Sequence, residues 1–398
     1  MRRGLPLLIA LLVVALTGFS TNGQSVIAGV PDTAPIFLWV RGDLWRVNPL
    51  DLNSAPVQVT QNGTISGPAL SPDGLNIAYK VAAPVGLAAL DRVQGAPGGI
   101  ASFDLPADIY VLNVGSGTSQ EIVGQPDNAS LLVEGTPDNA LIRSAPAWSP
   151  DGTSLIWTEM AFGSRDSELV VLNGRTSSGI RLFTGLPATT NPPQIAIAPS
   201  LATDGQTFMI VAWVTDDTGV TTIGAYASDG AWASIHALPS GESSVEQIAI
   251  VEMGDTQQVA VLYSSGDWAL YPDFQAGNLA PYRDQHPEGP FMYAHGNPAQ
   301  TFGISFGYLG DTGFFWEAFD PFDPQAASVA FPGAPGRITI APSGRAIAFL
   351  GFPDYGSAAI YRDGELLPIP NTGSGTDKLS VGAILWGSAA WRENRFDL

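Results

Sequence analysis

One short pattern recurs along this chain, and an internal repeat constrains a fold more than any single motif. Ala145–Trp157 reads APAWSPDGTSLIW, two apolar runs around the polar turn Ser149-Pro150-Asp151-Gly152. Gly67–Val81 (GPALSPDGLNIAYKV) and Ile338–Gly351 (ITIAPSGRAIAFLG) repeat it. Looser copies lie at Ile195–Trp213, Gln247–Tyr263 and Phe291–Gly307, while Ala383–Trp391 keeps the tryptophans without the turn. In such a turn Pro presets φ, Asp accepts hydrogen bonds from nearby amides, and Gly takes the left-handed conformation that closes a hairpin. Ser343 stands where two other copies have Asp. A turn tolerates that exchange and a catalytic carboxylate does not, so the pattern reads as scaffold.

A second kind of hairpin alternates with the first, at Ile36–Asn48, Asp108–Val123, Glu168–Phe183, Thr221–Leu238, Asp267–Tyr282, Gly313–Phe331 and Ser357–Pro370. Each is of strand length with Gly, Asn, Asp or Pro at the bend. The first kind recurs about every 45–50 residues after a longer first gap, which is blade spacing. The expectation is all-β: a seven-bladed β-propeller, with six or eight blades as alternatives. The chain begins with the second kind of hairpin and ends with the first, so the N-terminal and C-terminal hairpins are expected to complete one blade and close the ring. A repeat also explains how 398 residues fold as one unit although single cores stop growing near about 250–300 residues, because each blade mainly needs its neighbours.

The residues Trp148-Ser149-Pro150-Asp151-Gly152, Leu70-Ser71-Pro72-Asp73-Gly74 and Asp108-Ile109-Tyr110-Val111-Leu112-Asn113 resemble the WD40-like, Pro-Asp type repeats of the TolB-like β-propeller family. The motif is full in two repeats and partial in others, and the resemblance covers most of the chain after Ile36. It implies the propeller fold. Members often have six blades, so a count of seven departs from that type.

Arg2 and Arg3 precede an apolar run, Leu5–Leu16, followed by small polar residues. That run is shorter than the roughly 20 residues a membrane span needs. Residues 1–23 therefore read as an export signal, with an uncleaved anchor as the alternative, 24–35 as a short linker and 36–398 as one propeller domain. The expected location is periplasmic, cell-surface or secreted. The absence of cysteine excludes disulfides, thiolate metal sites and cysteine nucleophiles. The formal net charge of −20 repels nucleic acid and anionic headgroups. The expected partner is an envelope or extracellular protein or a glycan, with no nucleic acid and no membrane span in the mature chain.

Gly303-Ile304-Ser305-Phe306-Gly307 matches the nucleophile elbow G-x-S-x-G. That fold orders its triad Ser, acid, His, and none of His236, His286 and His295 follows Ser305. The segment reads as a strand. No cofactor is expected. Asp216-Asp217 and Asp320-Pro321-Phe322-Asp323 are candidates for a hard cation such as calcium, and solvated loop acids are the simpler reading. The many tryptophans on predicted strands read as packing between blades.

Strands in a blade alternate in direction. The connections from second to third strand therefore leave from the same end as those between blades, opposite the Ser-Pro-Asp-Gly turns. The longest irregular segments, Ala82–Ala107 and Gly124–Ala145, fall on that face, and Leu279–Pro290 is a third candidate. The second repeats Pro-Asp-Asn-Ala and is expected to form an extra hairpin. Long loops in a compact fold are usually functional or disordered. Candidate ligand-binding residues, chosen for face and chemistry, are Asp91, Arg92 and Arg143 from the first two segments, Arg165, Asp166 and Asp217 from turns, Tyr282, Arg283 and His286 from the third segment, and Asp354 and Tyr355 near the C-terminus. The leading functional reading is a non-catalytic binder using this face. The alternative is a hydrolase or lyase acting on a sugar, peptide or lactone at the mouth of the central channel.

Overall fold

The computed structural model describes residues 34–71, 73–90, 105–149, 151–164, 166–174, 176–187, 189, 191–199, 208–216, 218–231, 233–237, 245–253, 256–263, 268–271, 291–296, 300–309, 313–319, 329–332, 338–341, 346–351, 356–362 and 365–387. The chain is a succession of antiparallel meanders. It opens with β1 (Ile36–Val40), β2 (Asp43–Val47) and β3 (Val57–Gln58). The second sheet is β4 (Ile65–Leu70), β5 (Asn76–Ala82), β6 (Ala107–Asn113) and β7 (Ser119–Val123), with the one-turn helix α1 (Pro84–Ala88) between β5 and β6. The third has β8 (Leu141–Arg143) and β9 (Ala147–Trp148) end to end along the inner edge of β10 (Ser154–Ala161), then β11 (Glu168–Asn173) and β12 (Ser178–Phe183).

The fourth sheet is β13 (Gln194–Pro199), β14 (Phe208–Thr215), β15 (Thr221–Ala227) and β16 (Ala233–Ala237). The fifth is β17 (Val245–Met253), β18 (Thr256–Tyr263) and β19 (Trp268–Tyr271). The sixth is β20 (Phe291–Gly296), β21 (Gln300–Leu309), β22 (Gly313–Phe319) and β23 (Val329–Pro332). The seventh is β24 (Ile338–Ile340), β25 (Ala346–Leu350), β26 (Ala358–Arg362) and β27 (Glu365–Pro368), after which β28 (Val381–Trp386) is the last described strand. β28 returns to pair with β1, so the first sheet runs β28-β1-β2-β3. Innermost strands of neighbouring sheets touch: β28 meets β4, β4 meets β9, β9 meets β13, β13 meets β17, β20 meets β24, and β24 meets β28. This is a β-propeller, and seven sheets are present among the described residues.

One expectation changes. The hairpin Ile36–Asn48 forms the two middle strands of the first sheet, not its outer pair. The outer strand is the two-residue β3, which Asp43 ties back. Its Oδ1 accepts the backbone N–H groups of Asn62 (2.7 Å) and Gly63 (3.1 Å), and Thr60 Oγ1 accepts from Leu44 N (2.8 Å). Among the described residues the C-terminal segment supplies one strand, β28, and the rest of the expected hairpin lies outside the described residues. The sheet holds three described strands from the N-terminal side. Trp386 pairs with Ile36 as Trp148 pairs with Leu155, so β28 occupies the inner-strand position.

The core lies between blades. Ala78, Ile109 and Val111 of the second sheet pack against Trp148, Leu155, Trp157 and Val170 of the third. Ile36, Leu38 and Ile384 of the first pack against Ala346, Ala348 and Ile360 of the seventh. Twisted four-stranded sheets bury an apolar face only against a neighbour. Tryptophan nitrogens add bonds between neighbouring blades, from Trp148 Nε1 to Ala69 O (3.0 Å) and from Trp39 Nε1 to Ile65 O (2.7 Å).

The repeated turn has one hydrogen-bond plan in two blades. The Ser149 hydroxyl donates to Asp151 Oδ1 (2.6 Å) and accepts from Ser154 N (2.8 Å), and Asp151 Oδ1 accepts from Thr153 N (3.0 Å). Ser71, Asp73, Leu75 and Asn76 repeat those bonds at 2.5, 3.0 and 3.0 Å. Gly74 (φ 71°) and Gly152 (φ 72°) adopt the left-handed conformation that the turn requires. Ser305 lies within β21, paired with Phe291 on one side and Glu317 on the other. That is mid-strand, whereas a nucleophile elbow sits at a strand-to-helix turn.

Candidate functional site

The described parts of the two long segments fold against each other on the face opposite the Ser-Pro-Asp-Gly turns. Ala89, just after α1, Leu131 and Ala140 form a small buried cluster, with Val85, Leu105, Leu132 and Phe162 packed on it. This satellite core joins the β5–β6 insertion, the β7–β8 insertion and the β10–β11 turn. It is separate from the cores between blades.

The expected extra hairpin is absent among the described residues, because side chains take the place of a ladder. Asn139 Oδ1 accepts Ser130 N (2.7 Å), Asn139 Nδ2 donates to Asn128 O (3.2 Å), and Asp138 Oδ1 accepts Leu132 N (2.5 Å). The second Pro-Asp-Asn-Ala copy is thus consumed in shaping the loop. Asn and Asp serve well here because short polar side chains mimic backbone turns. Leu87 on α1 and Val133 at the loop tip are left exposed, at 42% and 48%.

Beneath this cap lies a chain of buried charges. Arg143, on β8, is 1% exposed, and Glu159, on β10, is 2% exposed. Arg143 Nε donates to Glu159 Oε2 at 2.9 Å, and Trp157 Nε1 donates to the same oxygen at 3.0 Å. The Arg143 fork also donates to Ala107 O (2.5 Å) and Gly124 O (2.9 Å). Arg181, on the outer strand, bonds Glu159 and reaches Glu168 at 2.8 Å. Lys80 Nζ donates to Arg143 O at 2.9 Å. Asp108 Oδ1 lies 3.8 Å from the Arg143 guanidinium and makes no hydrogen bond.

Protonation follows from these partners. Burial works against the charge of Glu159, but the Trp157 indole and the Arg143 charge outweigh it and hold its carboxyl below the usual range. At Asp108 burial wins over the pull of Arg143, and its carboxyl is raised. The Tyr110 phenol is pushed up to about 12 by burial and by its hydrogen bond to Glu121.

Of the expected binding residues, Arg143 and Asp166 lie within the described part. Arg143 is a buried strut. Asp166 is exposed in the β10–β11 turn, where its backbone N–H donates to Ser164 Oγ at 3.0 Å. Asp91, Arg92, Arg165, Asp217, Tyr282, Arg283, His286, Asp354 and Tyr355 lie outside the described residues. So does Asp320–Asp323. Asp216 Oδ1 is committed to its own turn, accepting from Thr218 N, Thr218 Oγ1 and Val220 N at 2.9, 2.6 and 3.0 Å. Among the described residues no group of three His, Cys, Asp or Glu side chains is placed to hold a metal ion. No described helix is long and apolar enough to cross a membrane. The sequence reading missed Gln125, Asn139 and Glu159. The repeated Pro-Asp-Asn-Ala was the one available signal, and it pointed to Asn139.

No protein-family model matches the chain, and neither does any curated protein sequence. Solved structures with a similar chain path include TolB from Acinetobacter baumannii, at 15% identity and a TM-score of 0.44, covering 92% of this chain and 70% of that one. An oligogalacturonate lyase in complex with manganese matches at 13% identity and 0.46, covering 83% of each chain. Prolyl oligopeptidase B from Galerina marginata matches at 12% and 0.47, covering 92% of this chain and 55% of that longer one. Likenesses this weak carry no argument about activity, and propellers host binders and enzymes alike.

Proposed function

We propose that this chain is an exported, non-catalytic, seven-bladed β-propeller that binds an envelope or extracellular protein or glycan through its long-loop face. The observation that carries this reading is the satellite core of Ala89, Leu131 and Ala140. The described parts of the two insertions share a buried core and so form a built surface, and long loops in a compact fold are often functional. Leu87 and Val133 supply exposed apolar contacts on it. The catalytic alternative would place acids and a base within reach of a substrate. The converging set seen here, Asp108, Arg143 and Glu159, is at most 8% exposed, and Arg143 and Glu159 are spent on each other and on backbone carbonyls.

The test compares the secreted protein with a variant in which residues 83–106 are replaced by a short Gly-Ser turn. A partner captured by the parent is then titrated against both forms and against Val133→Asp. Loss of at least about tenfold in affinity, with unchanged melting, supports the reading, since tenfold corresponds to about 1.4 kcal/mol. Equal affinity for all three forms removes this face from the binding surface.

A further inference from the structure

Arg143 and Gln125 meet at the one place where both insertions join the propeller. Ala107 ends the first insertion, Gly124 begins the second, and Leu141 ends it. Arg143 donates to the carbonyls of Ala107 and Gly124. Gln125 Nε2 donates to Ala107 O (3.0 Å) and Leu141 O (3.1 Å), while its Oε1 accepts Leu141 N (2.7 Å). The Ala107 carbonyl is therefore shared by both side chains.

Other blades clasp the corresponding connection with a small hydroxyl. Thr60 accepts from Leu44 N in the first blade, Thr184 meets Ser167 in the third, and Thr372 accepts from Ala358 N in the seventh. The second blade carries long insertions on both sides of this point. There a Gln and a buried Arg replace the hydroxyl, which gives the longer reach that three chain ends demand.

The geometry points to a mechanical coupling: Arg143 and Gln125 are positioning residues that lock the described parts of the two insertions into one preorganised unit. Glu159 and Asp108 hold the guanidinium in place from below, and the satellite core joins the insertions above. Arginine suits this position because its rigid fork serves one carboxylate and two carbonyls at once, which a lysine ammonium on a flexible stem does not. Preorganisation lowers the ordering cost of binding. That benefit rests on the binding reading above, whereas the coupling itself does not.

The test is hydrogen exchange on the free, full-length protein, so it needs no ligand and is independent of whether the face binds anything. Two variants are used. Gln125→Ala removes the amide without stranding a charge. Arg143→Lys keeps a positive charge beside Glu159 but loses the fork. Both are expected to speed amide exchange at least about tenfold in residues 84–89 and 129–140 together, with the Phe208–Thr215 strand unchanged. The coupling is overturned if only one insertion accelerates, if neither does, or if every blade accelerates equally, which would mark the residues as general stabilisers.

Discussion

Ser149 is fully buried, and its hydroxyl serves both the Ser154 amide and the Asp151 carboxylate. Ser149→Ala deletes both bonds while leaving the turn residues in place. The Ser154 N–H then lies buried without an acceptor, which costs about 1–3 kcal/mol. The lost bond to Asp151 adds less, because that carboxylate is exposed and regains water. The sum is about 2 kcal/mol, or roughly 30-fold in the ratio of folded to unfolded protein. The cost depends on pH in a defined direction. Asp151 is held below its ordinary value: burial alone would raise it, but the Ser149 hydroxyl and the Thr153 amide and hydroxyl outweigh burial. A carboxylate depressed on folding contributes stability that is full above its unfolded value of about 3.9 and is lost as pH falls through the folded value. Urea unfolding followed by tryptophan fluorescence at neutral pH and near pH 3 measures both effects. The variant should lose about 2 kcal/mol at neutral pH and less in acid. A loss below about 0.5 kcal/mol at neutral pH, or one that grows in acid, would refute the assigned role of this turn.

Three further substitutions probe the inner strands and the buried charges. Gly67 has φ 57°, and an added Cβ would stand 2.6 Å from Ala145 Cβ, whereas at Gly63 (φ 68°) nothing lies within 4 Å. Gly67→Ala should therefore cost about 2–3 kcal/mol and Gly63→Ala only about 1 kcal/mol by thermal or urea unfolding, since only the former adds a clash to the backbone strain. Glu159→Gln leaves Arg143 buried with Asp108 as its remaining acidic neighbour, and breaking such a pair costs about 3–5 kcal/mol. A melting temperature equal to that of the parent would show that the Arg143–Glu159 pair is dispensable.

The sequence shows some of this molecule and hides the rest for physical reasons. The Ser-Pro-Asp-Gly turns are legible because every bond in them spans five residues or fewer. The alternation of apolar residues marks strands but not which position in a blade a hairpin takes, since middle and outer pairs look alike. The first blade was misassigned for that reason, and β3, with two residues, carries no signal of its own. Arg143 looked like a surface ligand residue. Its burial depends on Ala107, Gly124 and Glu159, none adjacent to it in sequence, and a single charged residue gives no hint of partners gathered from two blades. Asn139 was closer to legible, because the repeated Pro-Asp-Asn-Ala flagged a special turn before its hydrogen bonds were known.

The meeting of the two ends in one sheet is tested most directly by a crosslink. Leu38 pairs with Ile384 across β1 and β28. Opposed residues in an antiparallel pair have Cα atoms about 4.5–5.5 Å apart, within disulfide range. The chain has no cysteine of its own, so Leu38→Cys with Ile384→Cys introduces the only possible bond. The monomer should oxidise to a single internal disulfide and unfold at higher urea than its reduced form, while Leu38→Cys with Leu385→Cys, whose side chains point to opposite faces, should stay reduced. Failure of the first pair to close, or crosslinking only between molecules, would contradict a propeller closed by its own two ends.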